Sequence, residues 1–189
     1  MDHDVTRPSQ APPAASRVPA IALHWLVAAG VFAQLALGWW MRTVPKSPPG
    51  MRAGWFNLHK SIGLTVALLV VVWLVTRSST PAADPMPHWQ RVAAQANHRL
   101  LFALLLVLPA TGFLGSSFTS FPVIYFGWTL PQWNRDWPAG KEAMSLLHLS
   151  AVWLLMALLA LHVAAALWHW FNGHAAASRI GLPRLRRSP

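Results

Sequence analysis

Apolar residues in this chain gather into four long runs, each bordered by charge or proline. The first extends uncharged from Val18 to Met41, between Arg17 and Arg42. Crossing the hydrocarbon of a bilayer takes about 20 predominantly apolar residues in a helix, so this run predicts a span over 18–41. The second, Ser61 to Thr76 between Lys60 and Arg77, is short on its own. It reaches full length over 53–76 if Lys60 extends its amine toward the surface from the first turns. A third span is predicted over 97–117, with Pro109, Gly112 and Gly115 in its second half. The proline should bend that helix, with neighbouring helices satisfying the freed carbonyl. No charged residue separates Glu142 from Arg179, which predicts a fourth span over about 143–171.

The remaining segments read as tails and connections. Residues 1–17 carry Pro, Ser and alternating charge and read as a disordered tail. Residues 78–88 form a Pro-rich loop and 118–141 a longer aromatic one, while 89–99 can continue the third helix beyond the membrane. Residues 173–189 form a basic tail. The first span is too long for the apolar region of a cleavable signal. The expected architecture is an all-α membrane protein, a bundle of four transmembrane helices forming one domain over 18–172.

Composition supports lipid as the solvent. Of 189 residues, 54% are hydrophobic and only 11% charged, against roughly 25% charged in soluble domains. The absence of Cys excludes disulfides, zinc ribbons, iron–sulfur clusters, thiol catalysis and covalent haem attachment through C-x-x-C-H. A net charge of +10 on a soluble chain would suggest nucleic acid. Here the basic residues punctuate apolar runs instead of forming a face, so no nucleic-acid partner is expected. With the N-terminus inside, Arg7, Arg17, Arg77, Arg91, Arg99, Arg179, Arg184, Arg186 and Arg187 fall on the cytoplasmic side. Arg42, Lys46, Arg52, Lys60, Arg135 and Lys141 fall on the opposite side. Nine against six favours N-in, C-in by the positive-inside rule. Most of the 12 Trp fall at the predicted interfaces, as aromatic belts do.

Against this apolar background the histidines stand out, because ionisable groups inside spans are costly and are functional suspects. His148 and His162 are 14 residues apart on the fourth span. That spacing is within about 40° of a whole number of turns and covers about 21 Å, so the two rings share a face at different depths. His59 lies at the depth of His148, near the outer end. His24 lies about 9 Å above the inner end of its span and is the best match for His162. Two pairs result, His59 with His148 and His24 with His162. Paired neutral imidazoles without cysteine are what bis-histidine ligation of haem iron requires, and two such haem sites would stack across the membrane.

Small residues fit this reading, since Gly38 lies 14 residues beyond His24, Gly63 one turn from His59, and Gly112 and Gly115 thin the third span. Ordinary small-residue helix packing is their other explanation. His98 begins the third span and could replace His24 or His162 or meet a haem propionate. His169 lies too near the inner end to ligate and is a candidate for propionate, proton or quinone chemistry. Met41, Met51, Met144 and Met156 are read as packing residues.

The residues also carry a family resemblance. Leu-His-Trp-Leu at 23–26, His-Lys-Ser-Ile-Gly at 59–63 and Asn-His-Arg-Leu-Leu at 97–101 occur in order. Leu-Pro-Ala-Thr-Gly at 108–112 follows, and His148 then precedes Leu-His-Val-Ala-Ala-Ala-Leu-Trp-His at 161–169. In this order and spacing the sequence resembles the bacterial cytochrome b561 family, di-haem four-helix proteins of the inner membrane, over about residues 18–172. The tail departs from it, with Asn172-Gly-His-Ala-Ala-Ala in place of a charged stretch.

The resemblance implies two haem b groups on His24, His59, His148 and His162, and electron transfer to quinone. Similar proteins include a superoxide oxidase that reduces ubiquinone. Arg42, Lys46, Arg52 and Lys60, with no acidic residue among them, could then steer a small anion such as superoxide toward the outer site. Their other role would be to neutralise propionates. His98, Arg99 and His169 are quinone or propionate candidates. The alternative reading is a cytochrome subunit that wires a redox partner protein, a dehydrogenase or hydrogenase, to the quinone pool. A proton or metal transporter is disfavoured, because no Asp or Glu falls inside a span.

Overall fold

The computed structural model describes residues 18–45, 50–76, 87–131 and 136–172. Four helices dominate it: α1 (Val18–Thr43), α2 (Met51–Thr76), α3 (His88–Ser117) and α4 (Pro138–Phe171). All four are long and apolar enough to cross a membrane. The helices outrun the apolar runs that announced them. α2 begins at Met51, and α4 begins at Pro138, whose fixed φ and missing N–H suit a first helical position. α3 starts at His88, so 89–99 does continue that helix. At 34 residues, α4 is about 51 Å long, well beyond the roughly 30 Å of hydrocarbon. Hydropathy marks the part of a helix that lipid covers, while Gly140, Lys141 and Glu142 extend it without being apolar. The α3 helix continues through Pro109.

Within the aromatic loop the chain forms a small hairpin that the apolar pattern did not announce. Strand β1 (Ile124–Tyr125) pairs antiparallel with β2 (Trp128–Thr129). The two turn residues, Phe126 (φ 44°) and Gly127 (φ 93°), both lie in the left-handed region, which is the tight hairpin turn that matches strand twist. Glycine adopts it freely, but Phe126 does so at a cost of about 1 kcal/mol or more. Ser61 on α2 offsets that cost. Its Oγ accepts the Phe126 N–H at 3.0 Å while donating to the Asn57 carbonyl at 2.8 Å. One turn on, Thr65 Oγ1 lies 3.1 Å from the Tyr125 hydroxyl. The hairpin is thereby pinned to α2, with Val123 fully buried beneath it.

Packing runs in chain order: α1 against α2, α2 against α3, α3 against α4. Among the described residues, no Cα of α4 comes within 8 Å of α1 or α2. Side chains still meet at mid-bundle, where Val27, Val31, Val66, Val70, Leu104, Ala151 and Leu155 form the core. Gly30 lets α1 and α2 close there, since a Cβ at that position would lie 2.6 Å from Val66 Cγ2. Only 11–17% of each span's most apolar window is buried within the protein. Large apolar residues such as Leu68, Val75 and Trp153 therefore face outward, as lipid-solvated helices require.

Candidate functional site: histidine pairs across the helix gap

The gap between α4 and the α1–α2 pair is bridged at two levels by facing histidines. His59 of α2 and His148 of α4 have ring centres 6.3 Å apart with planes at 70°. His24 of α1 and His162 of α4 are 6.4 Å apart with planes at 42°. Two imidazoles clamping one first-row metal from opposite sides, each through a bond of about 2 Å, hold their ring centres roughly 6 Å apart. Both spacings match that requirement, and all four rings are half-buried. His98 approaches His162 more closely, at 5.2 Å and edge-on, which leaves too little room for a metal between them. Among the described residues, no three His, Cys, Asp or Glu side chains group to hold a bare metal ion. Two opposed nitrogens instead suit a metal that arrives with its other ligands already attached.

Around His59 and His148 the helices leave a cavity lined mostly by apolar side chains, with Gln34 and Lys60 among them. Two glycines border the rings. A Cβ at Gly38 would sit 3.4 Å from His59 Cε1, and one at Gly112 would sit 3.5 Å from His148 Cε1, so any longer side chain would enter the ring or the cavity. His148 is further fixed through α3: its Nδ1 lies 3.0 Å from the Leu108 carbonyl and 3.1 Å from Thr111 Oγ1. A carbonyl only accepts, so Nδ1 carries the proton and Nε2 keeps its lone pair for a metal.

At the other level aromatic rings replace these polar contacts. His24 meets Trp25 at 5.4 Å and Trp73 at 5.7 Å, both edge-on. The remaining sequence candidates are more scattered. Lys60 lines the cavity beside His59, and the Arg52 guanidinium sits 5.5 Å above the Phe56 ring. Arg42 is exposed near the end of α1, and Lys46 lies outside the described residues, as do both tails. His98 and Arg99 are exposed near the start of α3, and His169 packs edge-on against Trp168.

Two glycines depart from expectation. Gly63 makes room for the Gln34 amide, whose nitrogen donates to the His59 carbonyl at 2.7 Å. Gly115 receives Met144, which is plain helix packing. Sequence reasoning missed Gln34, Thr111 and Ser61, although Gln34 and Thr111 are each a lone polar residue in an apolar run.

The sequence pattern of prokaryotic cytochrome b561 matches residues 15–181. The chain belongs to the prokaryotic cytochrome b561 family. It is 33% identical over 158 residues to "Cytochrome b561 homolog 2" of Escherichia coli (strain K12), covering 79% of this chain and 81% of that protein. Membership implies haem b and makes the chain a multi-pass membrane protein of electron transfer.

The residues present fit a cytochrome b561 cofactor. The opposed rings leave room for iron, the glycines clear both flanks of the His59/His148 pair, and the His148 tautomer is the ligating one. The buried Nδ1 of His59 and Oε1 of Gln34 have no protein partner, so polar capacity remains beside the cavity.

Proposed function

We propose that this cytochrome b561 holds two haem b groups, one between His59 and His148 and one between His24 and His162, and carries electrons across the bacterial inner membrane to ubiquinone. The observation that carries this reading is the gap itself. α4 keeps its backbone away from α1 and α2 along the bundle, yet at two levels its histidines face partners at metal-bridging distance. Haem b supplies a one-electron ferric/ferrous couple when bound. The protein's part is to keep four imidazoles neutral and aligned, to exclude water with an apolar lining, and to hold the helices open.

The electron donor we propose is superoxide. It gives up one electron and leaves as dioxygen, while ubiquinone takes two electrons and two protons, so two donors are consumed per quinol. With the N-terminus inside, Lys60, Arg42, Arg52 and Lys46 would fall on the outer side, where they would attract a small anion. His98, Arg99 and His169 at the inner end are the candidates for quinone or propionate contacts. A pyridine haemochrome assay on the purified protein tests the core of the proposal: two b haems per chain are expected, and one or none would overturn it. Stopped-flow reduction by superoxide with ubiquinone present tests the donor. Reduction only by a co-purifying dehydrogenase or hydrogenase would make the chain a wiring subunit instead.

A further inference from the structure

We infer that Thr111, together with the Leu108 carbonyl, positions His148 and sets the redox potential of one haem apart from the other. The inference rests on the proposed ligand role of His148. Helix α3 contributes no proposed ligand, yet it is the helix packed against α4, and it places two polar atoms on the outer nitrogen of that ring. His148 Nδ1 lies 3.0 Å from the Leu108 carbonyl and 3.1 Å from Thr111 Oγ1. The Thr111 hydroxyl is 2.9 Å from both the Val107 and the Leu108 carbonyls. The hydroxyl proton goes to one of these carbonyls, so an oxygen lone pair is left to share the His148 N–H.

The assembly is buried: Thr111 is 5% exposed, so water does not compete for these bonds. Gly112, the next residue, lets α3 approach the ring, with 3.5 Å between its notional Cβ and His148 Cε1. A ligand imidazole that donates its other N–H becomes a more basic, more electron-rich donor. That stabilises ferric over ferrous iron and lowers the potential of the haem it binds. The rings beside His24 of the other pair are those of Trp25 and Trp73, nearly perpendicular to it, and an indole offers no carbonyl or hydroxyl oxygen to accept an imidazole N–H.

Thr111→Val keeps the shape and removes the shared acceptor; Thr111→Ser restores it. In a redox titration of the purified holoprotein followed by absorbance and by low-spin ferric EPR, the valine variant should raise the potential of one haem only. At a fixed poise its reduced-to-oxidised ratio should rise about three- to tenfold, the range of one hydrogen bond. Its EPR signal should shift while the other stays, with two haems still present. The serine variant should titrate like the parent. Unchanged potentials in the valine variant, equal movement of both haems, or a serine variant that behaves like valine would each overturn the inference. His148→Ala separates the two levels of argument. If it keeps both haems, the ligand assignment has failed and Thr111 falls with it. If it loses one haem while Thr111→Val leaves both potentials in place, only the role of Thr111 is wrong.

Discussion

The two histidine pairs have almost the same ring separation, 6.3 Å and 6.4 Å, but their surroundings differ. Around His59 and His148 the protein uses glycine, backbone and hydroxyl: Gly38 and Gly112 beside the rings, Leu108 O and Thr111 on the His148 nitrogen, and a pinned hairpin on the same helix as His59. Around His24 and His162 it uses rings, with Trp25, Trp73 and His98 meeting them edge-on. One level is fixed by directional bonds and the other by shape. If both pairs hold haem as proposed, this difference would separate the electronic character of two otherwise equivalent sites.

The largest test of the comparison removes one ligand at each level. His148→Ala and His162→Ala should each lose one of two haems and keep the other, read as haem per chain and Soret absorbance. Retention of both haems by either variant would break the pairing, and loss of both from a single substitution would mean the levels are not independent. Next in size is Gly112→Leu. Its Cβ already reaches van der Waals contact with His148, so its further carbons must displace the ring or fill the cavity. That variant should lose most haem at the His59/His148 level and little at the other. Gly54→Leu, where nothing lies within 4 Å of a Cβ, should keep both.

Much of this was legible beforehand because a membrane simplifies the code. Three apolar runs of span length, and a fourth that reaches it by taking in Lys60, read as helices, and the periodicity of His148 and His162 places them on one face. Depth and the shared face suggest the pairing, with His98 left as an alternative to His24 or His162. Other features had no such signature. Whether Gly63 faces a cofactor or a neighbouring amide depends on helix rotation, and here Gln34 occupies the space. The helix ends at Met51 and Pro138 escaped hydropathy because polar residues extend a helix as well as apolar ones. Thr111 read as part of a Leu-Pro-Ala-Thr-Gly string, and its function emerges only when α3 packs on α4. The hairpin hid because strands of two residues leave no alternation to detect.

A smaller effect is expected from the basic residues between positions 42 and 60. Lys46→Glu with Arg52→Glu should slow superoxide-driven haem reduction several-fold at low ionic strength, with the difference fading as salt screens the field. Equal rates at low salt would reject steering and leave propionate neutralisation as the role of these cations.

The smallest effect asked of the molecule concerns Ser61, which joins the hairpin to α2. It is 2% exposed, accepts the Phe126 N–H and donates within its own helix. Ser61→Ala leaves that part-buried N–H without its partner at a left-handed Phe126, at a cost of about 1–3 kcal/mol. In a chain of this size that corresponds to a fall in Tm of roughly 2–10 °C, measured by thermal unfolding in detergent. Phe126→Gly in the same background should recover part of the loss, since glycine removes the strain at φ 44°. The haem of the His24/His162 level should be indifferent to both changes. If its spectrum moves as much as that of the His59/His148 level, the hairpin is supporting the whole bundle, and the contrast between a bond-fixed and a shape-fixed level is weaker than the geometry implies.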